Sequence, residues 1–391
     1  MDTQRFSRIA NGLKSASISS VTQTADALRR EGKEVLVFSI GRPDFDTPEH
    51  IKAAANDALA KGFVHYTHNR GILPMREAVA AYLKRQNGLD YDPKTEIMIT
   101  AGAQEALMLC THALLDPGDE VLVFGPYIAD YNNQIYLAGG KMVEVVTKEE
   151  NHYAPEEAAI RAAITPRTRA MIVNTPCNPT GAAYSMETLT MLAKLATEYD
   201  LLILADEIYT RYLYDGAFVP MRTLPGMADR VVTLNSFSKN FLMTGWRVGV
   251  VIAPAELISV FQFISNALTY TAPSISQRAA IRALALRHQI AEKYICKYRD
   301  RVFYASECID KLPYMTLLRP RGTFYLFPGI AKTGMTDGQF CQFLLEKAHI
   351  LAVPGSVFGK AGQGHFRIAC TVSDEKLQEA MERLKDLSAC F

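Results

Sequence analysis

Apolar and polar positions along this chain follow two different periods, and the switching between them sets out an architecture. Apolar-rich runs at 96–100, 120–124, 141–146, 169–174, 201–205 and 231–235 are short and set off by polar or turn-forming residues, which predicts buried strands. Stretches 103–115, 128–138, 155–163 and 186–199 carry helical spacing between the earlier runs. Turns such as Asp116-Pro117-Gly118-Asp119 join them. Strand alternating with helix predicts an α/β fold, a large domain whose mostly parallel sheet is flanked by helices. Right-handed crossovers would then bring the strand ends, and a ligand, to one edge of that sheet.

The two ends of the chain read differently. Helical spacing runs from Val21 to Leu28, a strand-like run from Val35 to Ile40, and a turn from Gly41 to Pro48. Thr47 is placed to cap, and Pro48 to open, a helix over Glu49–Ala60. A polar loop, HYTHNRG, precedes a helix over Leu73–Gln86. After Pro254 a long helical region reaches Leu312, broken near Thr271-Ala272-Pro273 and near His288. Short strands at 315–318, 323–327, 350–353 and 365–369 and helices at 336–348 and 374–388 follow. The expected division is a large domain over 45–285 and a smaller α+β domain built from 1–44 and 286–391.

Composition narrows the function classes. The chain has 391 residues, 49% hydrophobic and 21% charged, with a net charge of +1, so it can bury a large core. No basic run marks a nucleic-acid surface, and no apolar stretch approaches the roughly 18 residues of a membrane helix. The N-terminus lacks the apolar segment of a secretory signal. Seven scattered cysteines without C-x-x-C spacing read as reduced thiols in a cytoplasmic protein and promise no metal site.

Candidate chemistry concentrates in Val231–Pro254. Two apolar runs there enclose Ser236, Ser238, Lys239 and the turn Gly245-Trp246-Arg247. A guanidinium fork with two hydroxyls suits a phosphate dianion, and a cationic, partly dry setting lowers the pKa of a neighbouring amine. Thr100-Ala101-Gly102-Ala103-Gln104 joins a strand to a helix through small residues, leaving free amides for an anion. Asn178 sits in a string stiffened by Pro176, Pro179 and Gly181. Asp206 follows four aliphatics, so it should be buried and should seek a cation; Tyr209 stands three residues on. Arg367 is one cation in an apolar strand, and its fork matches a carboxylate.

Ser-x-Ser-Lys with Thr-Gly-Trp-Arg, Asn-Pro-Thr-Gly and the Asp-Glu-x-Tyr string resemble the class I/II aminotransferases of pyridoxal-phosphate fold type I. The resemblance runs from about Gly41 to Arg367 in the family's order. It implies an enzyme that holds pyridoxal 5'-phosphate on Lys239 as a Schiff base. Freed Lys239 would carry the substrate's α-proton to the cofactor's C4′. By the same resemblance Asp206 meets the ring nitrogen, and Tyr209 and Asn178 meet the phenolic oxygen. Arg247, Ser236, Ser238 and the Gly102, Ala103 and Gln104 amides hold the phosphate. Arg367, Asn178 and Gly41 serve the substrate. Family enzymes are homodimers, and Tyr66 resembles the residue lent across the interface to the phosphate.

In Pro126-Tyr127-Ile128-Ala129-Asp130-Tyr131 the family's ring-stacking position holds Ile128, leaving Tyr127 or an aliphatic to cover the ring. Gln104 stands where one aspartate-specific subgroup carries a lysine, so a distal carboxylate would rely on Arg42 or Arg70. The expected reaction is transfer of the α-amino group of an L-amino acid to a 2-oxo acid, 2-oxoglutarate by resemblance. A C–S β-lyase on the same scaffold, or a non-catalytic regulator, are the alternatives.

Overall fold

The computed structural model describes residues 6–13 and 19–391. Helices α1 (Arg8–Gly12) and α2 (Ser19–Arg30) lead to β1 (Leu36–Val37), then α3 (Glu49–Ala60) and α4 (Leu73–Asn87). The alternating block follows with β2 (Ile97–Thr100), α5 (Ala103–Leu114), β3 (Glu120–Gly125), α6 (Asp130–Leu137) and β4 (Lys141–Val146). It continues through α7 (Glu157–Ala163), β5 (Thr168–Asn174), α8 (Met186–Glu198) and β6 (Leu202–Asp206). It closes with β7 (Val231–Ser236), the single turn α9 (Phe237–Asn240) and β8 (Gly249–Ile252). Helices α10 (Ala255–Leu268), α11 (Ser274–Ala285), α12 (Arg287–Ile290) and α13 (Cys296–Ile309) make up the long helical region, with breaks where proline and polar residues predicted them. The last elements are β9 (Tyr325–Leu326), α14 (Asp337–Ala348), β10 (Ile350–Leu351), β11 (Val353–Pro354), β12 (Phe366–Ala369) and α15 (Asp374–Asp386).

Seven strands form the central sheet in the order β2-β8-β7-β6-β5-β3-β4. All pairs are parallel except those of β8, which runs antiparallel to β2 and β7. The period of two within β3 shows how both faces are buried. Val121 and Val123 join Leu107, Ile172, Leu204 and Phe261 on one side, while Leu122 and Phe124 join Leu192, Met171 and Ile203 on the other. Each such aliphatic or aromatic side chain contributes about 1.5–3 kcal/mol on burial. A third cluster gathers Phe38, Tyr298, Phe324, Phe340, Phe366 and Leu384, and Tyr209 and Tyr212 reach into it from the segment after β6.

Three local expectations are corrected. Thr47 does not cap α3: its hydroxyl donates to the Leu242 carbonyl and accepts the Trp246 indole N–H at 2.9 Å, so the cap position falls to Pro48. Tertiary bonds outcompete a local one. The run 315–318 forms only a bridge, Thr316 to Gly329. The run 350–353 divides, because β10 pairs with β1 while β11 pairs with β12.

Glu207 is a burden within this framework. It follows Asp206 on β6, is buried, and its Oε1 accepts only a long bond from the Met221 amide at 3.4 Å. Burial pushes its carboxyl from 4.5 up to about 8. A carboxyl whose folded pKa is raised favours the fold below its unfolded pKa, and that contribution is lost as pH climbs towards about 8. Glu207→Gln is expected to flatten the decline in stability between about pH 5 and about pH 9, read from urea midpoints of variant and parent. Parallel pH profiles would count against the burial argument.

Candidate active site

Sheet register brings five strand ends level. Asn174 pairs with Asp206, Asp206 with Leu234, Ser236 with Gly249, and Gly249 with Thr100. Reversal of β8 puts its first residue, not its last, at this edge. A cavity of about 220 Å³ opens there, and Ala103, Gln104, Asp206, Ser236, Ser238, Lys239 and Arg247 line it together with Ile128 and Tyr131. Lysine amine and buried carboxylate therefore share one cavity.

Lys239 rides on α9, which Ser236 caps by accepting the Ser238 amide at 3.1 Å. Its amine donates to the Gly41 carbonyl. Burial, with Arg367 and then Arg247 adding repulsion, lowers its pKa to about 8. Arg247 adopts a left-handed backbone conformation (φ 53°), which re-aims it after the 244–246 turn. Its guanidinium donates to the carbonyls of Thr244 at 3.1 Å and Ala101 at 3.3 Å. Gly102 and Gly249 permit this closeness. A Cβ on Gly102 would lie 2.5 Å from Arg247 Nη2, and one on Gly249 would lie 2.5 Å from the Gly102 backbone. The amides of Ala103 and Gln104 occupy the first turn of α5, where helix N–H groups lack intrahelical partners. Backbone donors, two hydroxyls and a guanidinium thus converge as an anion site.

Asp206 shows what is wanted at the other end. The Tyr131 hydroxyl donates to its Oδ2, while Oδ1 is buried without a hydrogen-bond partner. Burial raises the carboxyl to about 6 against the opposing effect of Tyr131. An orphaned buried acceptor costs about 1–3 kcal/mol until a donor meets it, and a cationic N–H would meet it best. Sequence reasoning gave Tyr131 no part. Its one signal was a tyrosine at helical spacing beside a predicted sheet edge.

A second cluster adjoins the first. Arg367 donates to Asn178 Oδ1 at 2.9 Å and to the Ser39 carbonyl at 2.7 Å, and its Nε is buried without a partner. Its guanidinium stands 4.6 Å from the Tyr325 ring centre and 4.9 Å from that of Phe358. Tyr209 shares a 3.0 Å hydroxyl contact with Tyr325. Gly41 links the clusters: it accepts from Lys239, and a Cβ there would strike the Tyr325 hydroxyl at 1.9 Å. Tyr325 belongs to the segment 320–325, whose sequence already resembles a family segment lining the substrate mouth.

Not every expected residue converges. Tyr127 faces away from the Lys239 cavity: its amide donates to the Phe358 carbonyl and its ring packs by Gly359, so Ile128 is the neighbour that lines the cavity. Gln104 directs its side chain to Asp130 at 2.8 Å and to Gln134, leaving only its amide for an anion. Arg70 is committed to Gln262, Ser259 and the Lys94 carbonyl, and Arg42 is exposed outside the cavity lining. Tyr66, 84% exposed, touches Tyr270 edge-on and does not line the cavity. Among the described residues no group of His, Cys, Asp and Glu could hold a metal ion.

Comparison with known proteins gives the family. A family model for class I and II aminotransferases matches residues 33–384. Aromatic-amino-acid aminotransferase 2 of Thermococcus litoralis is 42% identical over 90% of this chain and 91% of its own. Aspartate/prephenate aminotransferase of Thermus thermophilus is 39% identical over 97% of both. The crystal structure of an aromatic aminotransferase from Pyrococcus horikoshii superposes with a TM-score of 0.89 at 39% identity, covering 94% of this chain and 99% of that one.

Tyr131→Phe removes the one hydroxyl that Asp206 holds, so the carboxyl should titrate above the present value of about 6. Stability of ligand-stripped protein should fall by about 1–3 kcal/mol, with the gap to the parent widening as pH rises past about 6. Urea denaturation at several pH values measures this, and a gap independent of pH would contradict it.

Proposed function

This chain belongs to the class I and II aminotransferases, and from that premise we propose how its residues carry out pyridoxal-phosphate-dependent transamination. It is an enzyme that moves the α-amino group of an amino acid to a 2-oxo acid. The observation carrying the cofactor assignment is the orphaned Asp206 Oδ1, across one cavity from the Lys239 amine and the anion site at Arg247. That triad suits a phosphorylated pyridine aldehyde. Pyridoxal phosphate, when bound, supplies an aldehyde that condenses with amines and a cationic ring that draws electrons from a substrate's α-carbon.

The chain's own residues do the rest. Arg247, the Ser236 and Ser238 hydroxyls and the Ala103 and Gln104 amides would bind the phosphate, whereas the Gly102 amide, expected to join them, donates to the Thr100 carbonyl at 2.9 Å. Asp206, oriented by Tyr131, keeps the ring nitrogen protonated. Tyr209 and Asn178 would address the phenolic oxygen, and Ile128, which lines the cavity, would cover a ring face. Arg367, flanked by Tyr325 and Phe358 and aided by Asn178, grips the substrate carboxylate beside Gly41. Lys239 would hold the cofactor's aldehyde, and its Nζ, already biased towards neutrality, would accept the substrate's α-proton.

The acceptor we favour is 2-oxoglutarate, by family resemblance. The aromatic and aspartate activities named for the relatives set the first donor panel. Seven free cysteines suit a cytoplasmic setting. No described helix is long and apolar enough to cross a membrane. Tyr66, Tyr270 and Phe263, the last 73% exposed, support a homodimer in which Tyr66 of each subunit serves the other's phosphate site. The separate aromatic cluster around Phe324 and Phe340 supports the smaller domain of 1–44 and 286–391 beside 45–285.

Lys239→Ala should fold, lose the visible absorbance of the bound cofactor, and lose transamination; retention of both would end the assignment. In ligand-free parent protein, the rate of covalent cofactor capture should rise as pH passes about 8, where the buried amine loses its proton. A rate flat from about pH 7 to about pH 9 by stopped-flow absorbance would contradict that.

A further inference from the structure

An acid stands at the back of the phosphate site, where a negative charge is a disadvantage. Glu105, on the first turn of α5, is 7% exposed. Its Oε2 accepts the Ala101 amide, and its Oε1 accepts the hydroxyls of Ser265, at 3.0 Å, and of Thr269. Ser265 and Thr269 belong to the end of α10, far along the chain. A carboxylate near a bound dianion repels it by Coulomb's law, so the residue type is unfavourable to anion affinity on charge alone. Three neutral donors hold the carboxylate in place, so its use to the site lies in geometry.

The geometry is specific. Ala101 is the residue before Gly102, and its peptide groups are held from two sides. Glu105 takes the amide, while Arg247 Nη2 donates to the carbonyl at 3.3 Å. The turn that orients the Ala103 and Gln104 amides is thereby fixed to α10 as well as to its own strand. On α10 the anchor is itself constrained: the Thr269 and Tyr270 amides both return to the Ser265 carbonyl, and Tyr270 lies in the left-handed region (φ 66°). We propose that Glu105 is a positioning residue for the cofactor phosphate, clasping the β2–α5 turn to the end of α10 so that its amides stay aimed at the anion. The inference rests on the cofactor reading above.

The test compares ligands with and without the phosphate. Equilibrium affinities for pyridoxal phosphate and for pyridoxal are measured by absorbance titration of parent protein, Glu105→Ala, Glu105→Gln and the double variant Ser265→Ala/Thr269→Val. Loss of the clasp should weaken pyridoxal phosphate about tenfold or more and pyridoxal by less than about twofold. Glu105→Gln, which keeps one acceptor oxygen, should recover part of the loss. The double variant, whose residues line neither cavity nor substrate cluster, should repeat the phosphate-selective loss and carries the test if Glu105→Ala does not fold. Equal weakening of both ligands, or unchanged affinity for both, overturns the clasp while leaving the cofactor reading intact. Parent protein that captures neither ligand overturns that reading and the clasp with it.

Discussion

A carboxylate buried with one oxygen satisfied and the other not is the constraint on which this site depends. Asp206 ends a strand of aliphatics, so water cannot solvate it, and the chain answers it through the Tyr131 hydroxyl on Oδ2 and the nearby Ile208 amide, leaving Oδ1 without a hydrogen-bond partner. Its charge is expensive until an external cation completes the pair. A protein that retains such a deficit is organised around a guest. Positive groups gather elsewhere in the cavity lining, Arg247, the first amides of α5 and the Lys239 amine, with the acid Asp130 turned to the Gln104 side chain. The guest must therefore be cationic at one end and anionic at the other.

How the fold brings these ends together follows from one reversed strand. With β8 antiparallel, the chain can descend β7, turn through α9 and re-enter the sheet beside β2 without a long crossover. Lys239 and Arg247 both fall in that short return. Gly249 then packs against Gly102 backbone to backbone, which puts the turn after β2 against the turn before β8. A side chain at either glycine would hold the anion site open.

Much of this was legible in the sequence. The strands of the central sheet are apolar on both faces and bounded by turn formers, so their limits were recovered within a residue or two. Lys239, Arg247, Asp206 and the Gly102 turn were identifiable because each residue type is out of place in its local pattern. Tyr131 was not, since an aromatic at helical spacing looks like core until the acid it contacts is located. Tyr127 was misplaced because adjacent residues just before α6 face different cavities, a distinction of one residue that no periodicity resolves. The Thr47 cap failed for the same kind of reason: a distant carbonyl and indole claimed its hydroxyl. In the smaller part of the chain the strand expected over 323–327 shortens to the two residues of β9, because so short a run carries too little period to fix its ends.

Lys239 rests against the Gly41 carbonyl, not against an acid. A carboxylate partner would have locked the amine in its protonated form and been stranded as a naked ion each time the lysine swung away. A main-chain carbonyl imposes neither penalty. It is a neutral dipole that water can greet as well as an ammonium, so a lysine leaving it would leave almost no electrostatic debt in its berth.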